Sequence, residues 1–296
     1  MTIEDTLMDD VRAGRQVDIE RALLIGSGCD TEEKVAEYKA KIAELERQFH
    51  AYAGATRNDE ETAILLHEFL WHEMPKRYNG NVNLTEVIDA QMSGAEGVGN
   101  CVGLSSIYAA LGIRNCLNLN VLYNSKHVML RLKTGRQDID IECTSCYGYG
   151  FGEEYRKRAY QFGFKEDTLF RLVAETYAHR GMAKVDAKKI WEAIDIYSRA
   201  IELTPDDKRL YVLRAEAKGL LGMDRDAIID YDKIIELTPR DQSAYSRRGN
   251  IRRKLGDEEG AKTDFDMAYN LEMQRRFAAM GEKYEGNVIN IRRESQ

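Results

Sequence analysis

The chain has 296 residues, 43% of them hydrophobic and 31% charged, with a formal net charge of −7 and three prolines. That composition excludes a disordered chain, the acidic balance argues against a general nucleic-acid binder, and the length predicts two hydrophobic cores rather than one. The opening MTIEDTLMDDVRAG carries no apolar export segment, and no run approaches the ~18 apolar residues of a membrane span, so the sequence reads as cytoplasmic with no membrane partner. Cys29, Cys101, Cys116, Cys143 and Cys146 form an odd set without an export signal and are expected as free thiols.

Residues 1–95 read as helical. TEEKVAEYKAKIAELERQFHAYAG (31–54) has apolar residues at helical spacing behind an Asp30-Thr31 cap signal, and DEETAILLHEFLWHEM (59–74) follows with the same period. His67 and His72 flank Trp71 on the second helix; a separation of five residues puts them off a common face, so they read as structural or surface histidines. After RYNGNVNLTEVID, Gly94, Gly97, Gly99 and Gly103 raise the glycine density, and VGLSSIYAALGIRN predicts a short apolar helix that Cys101 opens. There the sulfur lies beside unpaired N–H groups and the positive end of the helix dipole, which favour thiolate over thiol and offer donors to an oxyanion in acyl transfer. The competing reading of Cys101 is a small core residue.

Beyond LNLNVLY, two strands alternate apolar and polar residues: KHVMLRLK (126–133) and RQDIDIEC (136–143), joined by Thr134-Gly135 in a two-residue hairpin turn. With Lys133 facing Arg136, His127 falls directly opposite Glu142 on the polar face, away from Val128, Leu130, Ile139 and Ile141. Directly opposed Cβ atoms are roughly 4.5–5.5 Å apart, close enough for the carboxylate to orient the ring and stabilise its cation. Asp140, on the same face, is the second choice for the acid. CTSC (143–146) has C-x-x-C spacing but supplies two ligands with no second pair in the chain, and Cys143 ends a strand instead of opening a helix, so neither zinc nor a redox pair is expected. The YGYGFG run behind it reads as a loop over one rim of the site. No cofactor is expected.

The C-terminal part repeats itself. AIDIYSRAIELTPDD (193–207) recurs as AIIDYDKIIELTPRD (227–241), an offset of 34 residues, and more weakly as AKTDFDMAYNLEMQ (261–274). Each later copy follows a helical pattern ending in glycine, so the unit is helix, turn, helix. This resembles the tetratricopeptide repeat, on Ala215, Gly222, Ala227, Tyr231 and Pro239, and on Gly249, Gly256, Ala261, Phe265 and Ala268. Met273 stands where the motif has proline, as expected of a terminal repeat that continues into a closing helix. In the first copy, seven extra residues between Gly181 and Ala193 predict a lengthened helix pair or loop. On the concave face, Asn250, Arg253 and Lys254 are candidates for holding a carboxylate of an extended peptide, the alternative being a solvated surface.

The order Cys101, His127, Glu142, with HVMLRL beginning a strand and IECTS on the next, resembles the transglutaminase-like (papain-fold) superfamily. The wider layout, from VDIERALLIGSG through LTEVID and the cysteine helix into the repeats, is similar to a bacterial family joining such a domain to tetratricopeptide repeats. Glu142 departs from the usual Asp and Cys143 from the usual Pro. The resemblance implies an α+β fold: a papain/transglutaminase-like domain over 1–165, helical over 1–95 with the cysteine helix and a small antiparallel sheet over 96–165, then an all-α solenoid of about three repeats with a closing helix over 166–296. It implies a Cys-His-Glu triad for hydrolysis or acyl transfer at an amide of a peptide or protein, with Trp71 a candidate oxyanion donor. Two readings follow, a cysteine-dependent protease, amidase or transglutaminase-like enzyme whose repeats bind the substrate, and a catalytically silent scaffold whose repeats bind partners. The residues set neither the substrate nor the oligomeric state.

Overall fold

The structure is a computed structural model that describes residues 1–56, 58–71, 79–80, 83–95, 97–124, 126–145, 148 and 163–293, with side chains as far as 278. The chain divides into two compact units, Met1–Thr204 and Pro205–Gln296.

The first unit begins with α1 (Ile3–Arg12), α2 (Ile19–Gly26), α3 (Glu32–Ala53), α4 (Asp59–Trp71) and α5 (Leu84–Ser93). Their starts follow from the sequence. Thr2 and Asp5 form a capping box on α1, Asp18 accepts from the Arg21 N–H on α2, and Thr31 accepts from the Lys34 N–H on α3, each satisfying amides that a helix leaves open. The next helix, α6 (Cys101–Arg114), is buried from Val102 through Gly112. A helix apolar all round belongs at a centre, and α6 packs against α2, α3, α4, α5 and strands β1 (Leu119–Tyr123) and β2 (Val128–Leu132). Leu104, Ile107 and Leu111 are at most 2% exposed; burial of such side chains contributes about 1.5–3 kcal/mol each.

The sheet is antiparallel in the order β3-β2-β1-β4, with β3 at Ile139–Ile141 and β4 at Lys165–Asp167. Its register corrects the expected turn. Leu132 faces Ile139, Arg131 faces Asp140 and Leu130 faces Ile141, so four residues, Thr134 to Gln137, lie between Lys133 and Asp138. The Thr134 hydroxyl accepts from the N–H groups of Arg136 and Gln137 and donates to the Gln137 carbonyl, while Gly135 takes φ 75°. A threonine able to close a local turn outweighs the two-residue hairpin signal of Thr-Gly. The slip is two residues, so every side chain keeps its face.

Helices α7 (Phe170–Asp186) and α8 (Ile190–Leu203) pack on each other, with α7 also against α2 and α6 and α8 against α1. This pair corrects the expected insertion. Gly181 occupies the position of Ala215 and Gly249, where a Cβ would come within 2.4 Å of the Tyr197 ring. The turn position held by Gly222 (φ 70°) and Gly256 (φ 82°) is taken by Lys188, at φ 60°. The 34-residue period therefore holds without insertion, and a lysine in the left-handed region disguised it.

The second unit comprises α9 (Lys208–Leu220), α10 (Asp224–Leu237), α11 (Gln242–Lys254) and α12 (Glu258–Arg293). Asp230, 1% exposed, is clamped by Arg214 at 2.6 Å and Lys218 at 2.7 Å; Asp264, also 1% exposed, by Arg248 at 2.6 Å and Arg252 at 3.0 Å. With Met273 in place of proline, α12 runs unbroken past the end of the repeat. Among the described residues no helix is long and apolar enough to cross a membrane.

Candidate functional site

Cys101 is the first residue of α6, half-buried, behind the N-cap Asn100. The Asn100 side chain accepts from the N–H groups of Val102 and Gly103, at 3.0 and 3.1 Å, and its carbonyl from Leu104. These amides are occupied, which corrects the expectation that the helix start supplies several oxyanion donors. The Cys101 N–H is the one that Asn100 does not cap.

His127 precedes β2, held by a turn in which the Asn124 side chain accepts from the His127 N–H at 2.9 Å. Its Nε2 lies 2.5 Å from Glu142 Oε2. Continued by one pair, the β2–β3 ladder sets Glu142 against Met129, so His127 and Glu142 meet diagonally on one face instead of directly opposite; the long glutamate side chain spans the offset. Asp140 is directly opposite Arg131 and bonded to it at 2.7 Å. The register thus gives the imidazole to Glu142 and the guanidinium to Asp140.

The Cys101 side chain is among the groups that act on the His127 ring. Because Nε2 is engaged with Glu142, the nitrogen left for the sulfur is Nδ1. Burial alone would lower the His127 pKa; the hydrogen bonds to Cys101 and Glu142 and their charges overcome it and push the value up to about 10. Burial works against the Glu142 carboxylate, yet the bond and charge of His127, with two bonds from Thr144, hold it below the usual carboxylate range. Phe164 closes one edge of the imidazole, 6.3 Å between centroids at 88°.

Trp71 and Cys143 line one small apolar pocket with His67, Leu70, Leu104, Ile107 and Tyr108. His67 is buried, stacked on Trp71 at 6.2 Å, and its Nε2 approaches the Glu142 carbonyl at 3.4 Å; it is a structural histidine that braces the acid. His72, Cys146 and the YGYGFG run apart from Gly148 lie outside the described residues. Cys29 is buried, and desolvation pushes its thiol up to about 11. Among the described residues no group of three potential ligands could hold a metal.

Asn250, Arg253 and Lys254 are exposed along α11. Arg253 donates to Asn250 at 3.2 Å and lies over the Phe265 ring at 5.3 Å, while Lys254 pairs with Asp224 at 2.6 Å. Sequence reading assigned no role to Asn100 and carried Thr144 only as the threonine that follows the acid in the IECTS signature. Asn100 was legible as an N-cap residue before an apolar run; the partner of Thr144 depends on the turn after β3 and carries no sequence signal.

Comparison with known proteins bears on the repeats. Residues 174–207 match the family model of the tetratricopeptide repeat. The Arabidopsis OM64 TPR domain is similar at 30% identity over 39% of this chain and 95% of that one, with a TM-score of 0.33. The second TPR of Spaghetti (RPAP3), bound to the HSP90 peptide SRMEEVD, is 30% identical over 33% of this chain and 91% of that one, TM-score 0.31. The Sgt2 TPR domain from Aspergillus fumigatus is 25% identical over 38% and 79%, TM-score 0.32. No curated protein matches the chain. The chain carries tetratricopeptide repeats.

Proposed function

We propose that the chain binds a protein or peptide partner through its repeats. The observation that carries this reading is the 34-residue period, whose first copy matches the tetratricopeptide family over 174–207. Stacked helix pairs of this kind offer an extended surface to a chain laid along it. In the second unit, Asn250 and Arg253 provide an amide and a guanidinium that suit a peptide carboxylate, with Lys254 beside them. Fluorescence anisotropy with acidic peptides tests this. Binding should weaken on Arg253→Ala, and indifference to Asn250→Ala, Arg253→Ala and Lys254→Ala alike removes these three from the interface.

A second reading concerns the first unit, favoured by the convergence of a thiol, an imidazole and a carboxylate. In this reading the Cys101 sulfur attacks an amide carbonyl, forming the acyl–sulfur bond. The C–N bond breaks, and the leaving amine takes the proton that His127 holds. Water, or a second amine, then attacks the thioester and returns a proton to His127, and Cys101 is released. Glu142 orients the ring, and the uncapped Cys101 N–H is a donor for the oxyanion. Alkylation of Cys101 by iodoacetamide, followed by mass spectrometry between pH 5 and 9, is the test. Reactivity should extend to lower pH in the unsubstituted chain than in His127→Ala, and identical profiles leave only the binding reading standing.

A further inference from the structure

Glutamate carries one methylene more than aspartate, so Glu142 has one more torsion to fix before its carboxylate can orient a ring. The backbone around it is already held. The Glu142 N–H donates to the Gly148 carbonyl at 2.7 Å, and its own carbonyl accepts from the Ser145 N–H at 3.3 Å and faces His67 at 3.4 Å. What remains free is the side chain, and there the two oxygens divide. Oε2 meets His127 at 2.5 Å, whereas Oε1 accepts twice from a single residue, the backbone N–H of Thr144 at 2.9 Å and its hydroxyl at 2.6 Å.

We infer that Thr144 is a positioning residue of the cysteine site, its hydroxyl fixing the Glu142 carboxylate so that Oε2 faces His127 and, through the ring, setting the reactivity of Cys101. This inference rests on the cysteine reading above. The backbone N–H alone supplies one direction of restraint; the hydroxyl supplies a second and prevents the carboxylate from turning about its terminal bond. Oε1 belongs to a side chain only 6% exposed, so water does not readily replace a lost donor. Valine keeps the shape of Thr144 and removes the donor, serine keeps the donor and removes the methyl, and alanine removes both.

The test is the rate of Cys101 alkylation by iodoacetamide across pH 5 to 9 in the full chain, with the exposed Cys116 as internal control. A charge-assisted hydrogen bond of this kind sets the expected scale: Thr144→Val and Thr144→Ala slow Cys101 about tenfold near neutrality and displace its pH profile toward that of His127→Ala, while Cys116 is unchanged. Thr144→Ser is expected to stay within about twofold of the unsubstituted chain, since it keeps the bond. Unchanged Cys101 profiles in the valine and alanine variants, in a chain whose profile does depend on His127, overturn this inference and leave the cysteine reading intact. A profile independent of His127 in the unsubstituted chain overturns both.

Discussion

Lys188 carries a conformational cost that its counterparts avoid. At φ 60° its Cβ crowds the backbone, whereas Gly222 and Gly256 take the same turn freely. Lys188→Gly is therefore expected to stabilise the first unit by about 0.5–1 kcal/mol, the relief being partly offset by the freer unfolded chain, read as a higher denaturant midpoint. At Gly148 the direction reverses, because a Cβ would sit 1.9 Å from the Glu142 carbonyl oxygen. Gly148→Ala should displace the loop that holds the acid and slow Cys101 alkylation as Thr144→Val does. His127 has its own pH signature. With its folded pKa raised from 6.5 to about 10, the ion pair with Glu142 contributes stability that is fully present below pH 6.5 as far as His127 is concerned, and is lost as pH rises toward 10. The lowered carboxylate adds the opposite limb, present above the unfolded pKa of 4.5 and lost as pH falls through the folded value. The stability difference between the unsubstituted chain and His127→Gln should thus be largest between about pH 5 and 6.5 and shrink on both sides; chemical denaturation at pH 3, 6 and 10 measures it.

Among the elements, the repeats share one arginine position and use it in two ways. Arg214 and Arg248 each close on an aspartate sixteen residues on, Asp230 and Asp264. In the first copy Ile196 stands at the aspartate position, and Arg180 donates instead to the Ile25 carbonyl at 2.8 Å and to Glu4 of α1. Removing a buried carboxylate that two cations share leaves Arg248 with Asp232 alone and Arg252 with the Gly260 carbonyl and a longer approach to Asp257, so Asp264→Ala should cost about 1.5–3 kcal/mol, the worth of hydrogen bonds to charged groups. Asp224→Ala, which frees the exposed Lys254, should cost less than about 1 kcal/mol. Thermal or urea unfolding of the two variants separates the cases, and equal costs would mean that Asp264 is held by packing and not by charge.

At the scale of the whole molecule, the α7–α8 pair reads as repeat in sequence and folds within Met1–Thr204. Leu172, Val173, Ala174 and Tyr177 on α7 are at most 1% exposed, and α7 packs on α2 and α6. A fragment of residues 166–296 uncovers that face and strips Arg180 of Glu4 and Ile25. Hydrogen exchange should show 170–203 unprotected in that fragment and protected in the full chain, with 208–254 protected in both. Protection of 170–203 in the fragment would mean that the pair holds itself together by repeat packing alone.

Local rules were enough wherever neighbours along the chain set the outcome. Thr31 as a cap, Cys101 opening an apolar helix, the 34-residue period and the shared face of His127 and Glu142 all follow from spacing, since a helix repeats at 3.6 residues and a strand at two. Other features were decided between segments distant in sequence. Thr134 closed a longer turn than Thr-Gly suggests, and the resulting register assigned Asp140 to Arg131 and left His127 to Glu142. Lys188 adopts a backbone conformation that residue type alone argues against, because both helices it joins are fixed by packing. Thr144 gained its role from the turn after β3, and Asn100 took the amides expected to serve an oxyanion. A side chain's type and face are written locally, but which of several possible partners it meets depends on register and packing, and those are settled only when the whole core closes.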